Sequence, residues 1–287
     1  MKKNQIIERV IHGIFLITGL ITVACVALIT LYLVISGIPA IGKIGFVNFI
    51  FGKVWASTAK EPLYGIMPFI LTSFYGTAGA ILIGVPVGFL TSVYLSKIAN
   101  PKFKEVTESA VGLLAGIPSV VYGLVGMMVL VPGIRKLFRV PDGASLLASI
   151  LVLSVMILPS IIKMSITALD AVPKEYEDAS LALGATPIET YFRVSVPAAK
   201  SGIAAAVVLG VGRAIGEAMA VMMVAGNAPN MPSLFQSVRF LTTAVSSEMS
   251  YAGGLQREAL FSIALVLFVF IMIINAVLNL FLKRGKD

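Results

Sequence analysis

Cysteine, histidine and charged residues are scarce in this sequence. Its 287 residues include one cysteine, one histidine and one tryptophan, and only 13% of them are charged. The single cysteine, Cys25, excludes a disulfide within the chain, and Cys25 with His12 leaves too few ligands for a metal cluster. One histidine offers little acid–base chemistry, and the sequence has neither an HExxH motif nor a Ser/His/Asp set. We therefore predict no metal site, no catalytic residues and no enzymatic activity of its own.

A nucleotide-binding motif is missing as well. No GxxxxGK[ST] sequence is present, and the nearest approach, Gly52-Lys53, lacks both the following Ser or Thr and the upstream glycine. A P-loop needs these residues to hold the phosphates of ATP. We predict no cofactor in this chain, so any energy from ATP has to come from a partner chain.

Long apolar runs are abundant. The sequence is 58% hydrophobic with a mean hydropathy of +0.97, whereas a soluble domain is about 25% charged. Crossing a membrane takes roughly 20 apolar residues of helix, and the first run is longer than the h-region of a signal peptide. The chain is thus predicted to be an all-α membrane protein with one domain, 1–287, and a core at 66–282. Six spans are predicted, at Ile11–Ser36, Ile66–Leu95, Ser109–Val131, Ala144–Ala168, Ser201–Ala225 and Glu258–Leu282.

Basic residues set the expected orientation. The formal net charge is +8, but Lys and Arg gather at the ends of spans, where they contact membrane lipid, so nucleic acid is not an expected partner. With the N-terminus inside, inner segments hold thirteen Lys and Arg and outer segments eight. This asymmetry predicts that both termini and the polar stretch 170–200 lie in the cytoplasm.

The polar stretch 170–200 is predicted to form two short helices joined by a turn. Pro173 suits a helix start, and Gly184 suits the left-handed position after a helix end. Thr186 with Glu189 forms a capping-box pattern that opens a second helix, which is expected to end before Pro197. Such a hairpin is suited to docking on a partner, although a loop that merely joins two spans is the alternative.

The third span contains a Gly-Ile-Pro-Ser sequence with Gly116, Pro118 and Ser119. A proline there breaks the helix and frees backbone groups, which are tolerated only against protein or a water-filled cavity. Broken helices line substrate paths in many transporters. A simple proline kink that serves packing is the alternative.

The fifth span contains two charged residues, Arg213 and Glu217. A charge inside the bilayer is expensive, so it suggests a function. The two residues are four apart and are expected to pair, while Gly212 and Gly216 are expected to admit a close helix neighbour. An arginine suits a tetrahedral oxyanion, and Glu217 would hold the guanidinium when no anion is bound. The alternatives are a pair that only fixes packing, and an ATP-independent anion channel or carrier, which would not need a docking loop.

Three segments resemble known permeases. Asp178-Ala179-Ser180, Gly184 and Val194-Ser195-Val196-Pro197 resemble the EAA…G…I-LP signature of ABC-transporter permeases, with Asp178 in place of Glu, Ser180 in place of Ala and Val196 in place of Leu. The segments GIPSVVYG (116–123) and RAIGEAMAVMMVAGN (213–227) are similar to phosphate-transport permeases, of the PstC type more than of the sister PstA type.

This resemblance implies a type I ABC importer permease fold and a place in the cytoplasmic membrane. It implies that the chain is the permease subunit of a phosphate importer, coupled through the loop 174–197 to a cytoplasmic ATPase dimer that binds the ATP. Further implied partners are a second permease, the same chain or a PstA-type sister, and an extracytoplasmic phosphate-binding protein. The implied ATPase-docking residues are Glu177, Asp178, Ala179, Ser180 and Gly184. The implied pathway residues are Arg213, Glu217, Gly116, Pro118 and Ser119. The chemistry of one arginine leaves molybdate and sulfate open as substrates.

Overall fold

The computed structural model of the chain describes residues 2–284, with the side chains of residues 8, 10–278 and 280. The described part is mostly helical and contains one short two-stranded ribbon. The helices are α1 (Lys2–Ile44), α2 (Phe46–Phe51), α3 (Met67–Val93), α4 (Pro101–Gly116), α5 (Ser119–Val125), α6 (Val131–Phe138), α7 (Leu146–Asp170), α8 (Lys174–Ala182), α9 (Pro187–Thr190), α10 (Val196–Ala198), α11 (Lys200–Gly216), α12 (Met219–Val224), α13 (Leu241–Glu248) and α14 (Gly254–Arg284). Strands β1 (Trp55–Ala56) and β2 (Leu63–Tyr64) pair antiparallel. π-helical turns at Tyr94–Ile98, Gly126–Leu130 and Tyr191–Ser195 follow α3, α5 and α9.

Apolar length accounts for most of this architecture. Five helical segments of the described part are long and apolar enough to cross a membrane, and a sixth counts if a bent pair forms one span. The pair is Pro187–Ala198 with Lys200–Gly216, which meet at 72°. A helix satisfies its own backbone groups, which hydrocarbon cannot do. The predicted all-α membrane architecture is therefore confirmed.

Helix α7 forms the centre of the bundle. Two thirds of its most apolar window is buried, more than in any other candidate span of the described part. Helix α3 packs closely on it through glycines, because a Cβ built on Gly84 would lie 2.7 Å from Ile157 and one on Gly88 would lie 2.9 Å from Ile161. The small residues of the second predicted span therefore admit a close helix neighbour.

The first helix is longer than predicted. The predicted span ends at Ser36, but the helix continues to Ile44 because this part packs against α14: a Cβ built on Gly37 would lie 3.0 Å from the Phe261 carbonyl oxygen, and Ala40 is fully buried. None of its most apolar window is buried within the chain. Cys25 is exposed on this helix.

Two predicted spans are broken. The span expected at 109–131 divides at Ile117-Pro118, so that α4 ends there and the membrane-length segment is Ser119–Phe138. The short loop expected from Pro132 is consequently helical as far as Phe138. The span expected at 201–225 divides at Glu217-Ala218, between α11 and α12.

The segment 226–257, between the fifth and sixth predicted spans, contains the buried helix α13. Leu241, Thr243 and Ala244 are fully buried there. Polar and apolar residues are mixed along this segment without a clear helical period. Its burial comes from contact with residues far away in the chain, such as Ser73, whose hydroxyl accepts a hydrogen bond from the Leu241 amide at 3.0 Å.

Candidate functional site

The two helix breaks lie side by side. A Cβ built on Gly123 of α5 would lie 2.8 Å from the Cα of Ala220 of α12, and one on Gly126 would lie 2.8 Å from Val224. The contacts advance in the same direction along both helices, so α5 and α12 run parallel. Each break precedes the first contact by three to five residues, about 4 to 8 Å of helix rise. The predicted segments around Pro118 and Glu217 are thus brought to one level of the bundle.

The first break satisfies its backbone locally. Pro118 has no N–H, so it cannot donate to the carbonyl of Leu114, and the residue before it, Ile117, is extended. The Leu114 carbonyl accepts instead from the Ile117 amide at 3.2 Å and from the Tyr122 hydroxyl at 2.7 Å. Within the described part of the chain nothing lies within 4 Å of a Cβ built on Gly116, which faces open space.

The second break is fixed by Glu217 itself. Its backbone is extended, which ends α11 at Gly216. Its carboxylate accepts a hydrogen bond from the Ala220 amide at 2.9 Å, and its carbonyl accepts one from the Thr242 hydroxyl of α13 at 2.8 Å. Glu217 therefore acts as a cap at the start of α12.

The predicted pair of Arg213 with Glu217 is wrong. Because the helix ends between them, the i, i+4 geometry is lost and Glu217 turns to Ala220. The Arg213 Nη1 donates instead to Ser160 Oγ of α7 at 3.2 Å. In residues 8–278 no carboxylate forms an ion pair with Arg213. The guanidinium is half-buried in a membrane segment without a counter-charge from the described chain.

Nothing in the described chain lies within 4 Å of a Cβ built on Gly212 or Gly216, so a close helix neighbour of these glycines stays a prediction. Sequence reasoning missed Ser160, a hydroxyl beside Pro159 in an otherwise apolar span. It also missed Thr242, which lies in α13, between the fifth and sixth predicted spans.

The polar hairpin forms as expected at its turn. Gly184 has φ +89, and its amide donates to Leu181 while the Ala185 amide donates to Ser180, at 2.9 and 3.3 Å. This is the Schellman arrangement at a helix end. The capping box of Thr186 and Glu189 is confirmed.

The second helix of this hairpin ends later than predicted. It continues through the π-turn Tyr191–Ser195 and past Pro197, and it ends at Ala198 where the chain bends into α11. Pro197 lies in the first turn of the short α10, where its missing N–H is tolerated.

The residues predicted to dock a partner divide between two faces of α8. Asp178, Ala179 and Gly184 are exposed, and so are the apolar side chains of Tyr176 and Leu183, the latter at 90%. We call these five residues the α8 surface. An exposed apolar group rimmed by acidic residues is typical of an interaction site.

Glu177 and Ser180 face the body of the protein instead. Glu177 pairs with Lys97 at 2.6 Å, and Ser180 Oγ lies 2.9 Å from Thr190 Oγ1. They therefore hold the hairpin together and onto the bundle, and the α8 surface is formed without them.

A polar centre lies at the end of the bundle opposite α8. The Glu248 carboxylate is buried and accepts hydrogen bonds from Trp55 Nε1 at 3.2 Å, from Gln256 Nε2 at 2.9 Å and from Arg239. Trp55 is buried and joins the hairpin β1–β2 to α13. These contacts fix the structure of the segment 226–257.

Comparison with known proteins places this geometry in context. Residues 84–286 match the family model described as "Binding-protein-dependent transport system inner membrane component". A probable ABC transporter permease protein, YqgH, of Bacillus subtilis is 39% identical, over 96% of this chain and 92% of its own. The phosphate transport system permease protein PstC of Haemophilus influenzae is 32% identical, over 88% of this chain and 85% of its own.

Solved structures share the fold. A subunit of a bacterial alginate ABC transporter, solved in complex with a pentasaccharide-bound periplasmic protein, has a TM-score of 0.62 at 16% identity and covers 95% of this chain and 94% of its own. A chain of the MetNI methionine ABC transporter, in an inward-facing conformation, has a TM-score of 0.59 at 22% identity and covers 78% of this chain and 95% of its own.

Proposed function

The chain belongs to the family of binding-protein-dependent transport system inner membrane components, and we propose that it is the permease subunit of an ATP-driven importer of inorganic phosphate. Relatives named as phosphate permeases, similar over most of the chain, support the substrate. The fold, a multi-pass helical bundle like those of ABC importer permeases, supports the class.

The observation that carries this proposal is the lone charge of Arg213. A half-buried guanidinium in a membrane segment is unfavourable unless an anion compensates it. Among residues 8–278 only the neutral Ser160 bonds to it, so its remaining donors are available to an incoming oxyanion. A guanidinium donates parallel hydrogen bonds that match the oxygen spacing of phosphate.

The pathway that we propose runs past both breaks. Arg213 lies one helical turn before Glu217, and Gly116, Pro118 and Ser119 form the break beside it. Broken helices provide short hinges, and they line the substrate path in many transporters. Arg213 would contact the anion, Glu217 would fix the break, and the open side of Gly116 would leave room.

Energy would enter at the α8 surface. A cytoplasmic ATPase dimer that binds ATP would dock on all five residues of the α8 surface, including the apolar side chains of Tyr176 and Leu183. Glu177 and Ser180 would act indirectly, by holding α8 in place. Movement of the docked ATPases would then tilt α11, which follows the hairpin through a 72° bend.

Lipid, a second permease and a binding protein would cover the remaining exposed surfaces of the chain. The long apolar α1 and the open sides of the breaks would face lipid and a second permease, a PstA-type sister that completes the pathway. An extracytoplasmic phosphate-binding protein would dock at the end opposite α8. Both termini and α8 would lie in the cytoplasm, and residues 1–287 would form one domain of the cytoplasmic membrane.

The test is uptake of radioactive phosphate into proteoliposomes that hold this chain with its ATPase, sister permease and binding protein. We expect uptake to require ATP, to resist excess sulfate and molybdate, and to be lost in Arg213→Gln. Uptake of molybdate or sulfate in place of phosphate would keep the class and reject the substrate. Uptake that persisted without the ATPase would reject the importer and favour an anion channel or carrier.

A further inference from the structure

Glu177 lies on the face of α8 that is turned toward the membrane domain. Its Oε1 is 2.6 Å from Lys97 Nζ and accepts a hydrogen bond from Ser195 Oγ at 2.8 Å. The side chains of Lys97 and Glu177 are only 10% and 18% exposed, so this is the most enclosed of the ion pairs at this end of the described bundle.

The two partners of Glu177 both come from π-helical turns. Lys97 belongs to the turn Tyr94–Ile98 that ends α3, and Ser195 belongs to the turn Tyr191–Ser195 that precedes the bend into α11. Each π-turn thus carries one polar side chain that reaches the same carboxylate. Lys97 ties α8 to the end of α3, and Ser195 ties it to the second helix of the hairpin, just before the bend into α11.

Lys97 extends this tie to a third helix. Its Nζ also donates to the carbonyl of Leu169 in the last turn of α7, at 3.0 Å. A cation at that position is favoured by the partial negative charge of a helix C-terminus. One ammonium group therefore joins the ends of α3 and α7 to α8.

Helix α8 has little else to hold it. None of its nine residues is buried, and the nearest apolar anchor, Val172, lies before it and packs with Val93, Leu169 and Ala199. Ser180 bonds to Thr190, which belongs to the same hairpin. Among the described ion pairs and side-chain hydrogen bonds, only that of Glu177 with Lys97 connects α8 to α3.

The electrostatics favour an ionised carboxylate. Burial raises the pKa of Glu177, but the hydrogen bonds from Lys97 and Ser195 and the charge of Lys97 together lower it by more, so the pKa lies below its ordinary value. Removing either charge would leave the other enclosed and unpaired, which is more harmful than removing both.

We propose that the Glu177–Lys97 pair is the link through which movement of α8 reaches α3 and α11, and that Glu177 is a positioning residue for coupling that does not itself contact the ATPase. The proposal rests on the function proposed above. It assigns different tasks to two adjacent acids, since Glu177 would connect α8 inward and Asp178 would meet the partner outward.

The test is a double-mutant cycle in the reconstituted transporter, with Lys97→Met, Glu177→Met and the double variant Lys97→Met/Glu177→Met. Three quantities are measured: the ATPase retained when the complex is purified through this chain, the rate of ATP hydrolysis, and the phosphate imported per ATP. We expect each single variant to retain the ATPase and to lower the phosphate imported per ATP by about tenfold, because it leaves one enclosed charge unpaired. The double variant should return to within about threefold of wild type, because two packed apolar side chains replace the pair.

Two controls separate this link from docking and from general damage. Lys104→Met removes the more exposed pair with Asp170 near the same end, and should leave coupling unchanged. Asp178→Asn alters the α8 surface, and its loss of ATPase retention should not be relieved by Lys97→Met.

Wild-type coupling with Lys97→Met would overturn the proposal, as would loss of the bound ATPase with Glu177→Met. A double variant no better than the worse single variant would overturn it too, since the two residues would then act separately. Failure of the proposed function would be visible in the wild type, as uptake without the ATPase or without phosphate, whereas failure of the link would be visible only in the variants.

Discussion

Arg213 and Ser160 are joined across two membrane helices by a hydrogen bond of 3.2 Å from Nη1 to Oγ. The carboxylate four residues beyond Arg213 takes no part, because Glu217 has turned to cap Ala220 at 2.9 Å. The hydroxyl therefore sets the direction of the guanidinium while leaving its charge uncompensated. This arrangement fits the proposed role of Arg213, which is to bind an anion and release it again.

Removing the Ser160 hydroxyl should weaken substrate capture. A hydrogen bond to a charged group contributes about 1.5 to 3 kcal/mol when its loss leaves that group unpaired. Ser160→Ala is thus expected to raise the KM for phosphate uptake by about tenfold or more with a smaller effect on kcat, because Arg213 remains charged but is less well placed. Ser165→Ala on the same helix is a matched control, since within the described part the buried Ser165 hydroxyl has no hydrogen-bond partner. Equal effects of the two variants would contradict a positioning role for Ser160.

The carboxylate of Glu217 should matter for the fold through its cap. Glu217→Ala removes the acceptor for the Ala220 amide and should lower the stability by about 1 kcal/mol, as loss of a helix cap does. Glu217→Gln keeps an acceptor oxygen and should stay near wild type. Thermal unfolding in detergent measures both. Equal destabilisation by Gln and Ala would show that the charge, and not the cap, holds the break.

The packing of the two half-helices should be sensitive at Gly123. A Cβ there would lie 2.8 Å from the Cα of Ala220, which is backbone and cannot rotate away. Gly123→Ala should therefore destabilise the protein by about 1 to 3 kcal/mol, as overpacking does, and should reduce uptake. Gly133→Ala, later in the same span, has nothing within 4 Å in the described chain and is expected to be tolerated. A tolerated Gly123→Ala would mean that α5 and α12 pack less closely than described.

The polar centre around Glu248 should contribute more stability than the pair of Lys43 with Glu258. Glu248→Gln leaves the Arg239 charge enclosed, and breaking such a buried pair lowers the stability by about 3 kcal/mol. Glu258→Gln breaks a more exposed pair and should lower the free energy of unfolding by at most about 1 kcal/mol. The comparison is made by thermal unfolding, and similar shifts would show that Glu248 is well solvated.

The lowered pKa of Glu177 gives its interactions a defined pH dependence. A carboxyl whose pKa is lowered by folding stabilises the folded state above its ordinary pKa of 4.5, and this contribution is lost as the pH falls through the folded value. Wild type should therefore be more stable than Glu177→Gln at pH 7, and the gap should narrow below about pH 4.5. Thermal unfolding of both proteins across this pH range tests the prediction. A difference in stability that stayed constant with pH would contradict the ion pair.

The features that the sequence predicted well depend on neighbours along the chain. Gly184 follows a helix end and has a positive φ, and Thr186 caps with Glu189, because both arrangements form between residues three to five apart. The helix break at Pro118 has the same local cause, a residue without an N–H. The all-α membrane class followed from apolar length alone.

The features that the sequence did not predict depend on residues distant in the chain. The spacing of Arg213 and Glu217 was right for an ion pair, but the pairing was lost when contact with α13 and α12 ended the helix between them. Glu177 was grouped with the docking residues because it adjoins Asp178, and only the approach of Lys97, eighty positions earlier, turned it inward. The roles of the pathway and docking residues stay predictions until transport is measured.

By itself, then, the sequence determined the all-α membrane class, the apolar stretches that can cross a membrane and the place where the polar hairpin turns, since hydrophobic length and local hydrogen bonds decide these. The tertiary structure alone decided which charges are paired, which are left open and which face of α8 is free. Those outcomes follow from distances between helices, because electrostatic and packing energies depend on the neighbours that folding brings together.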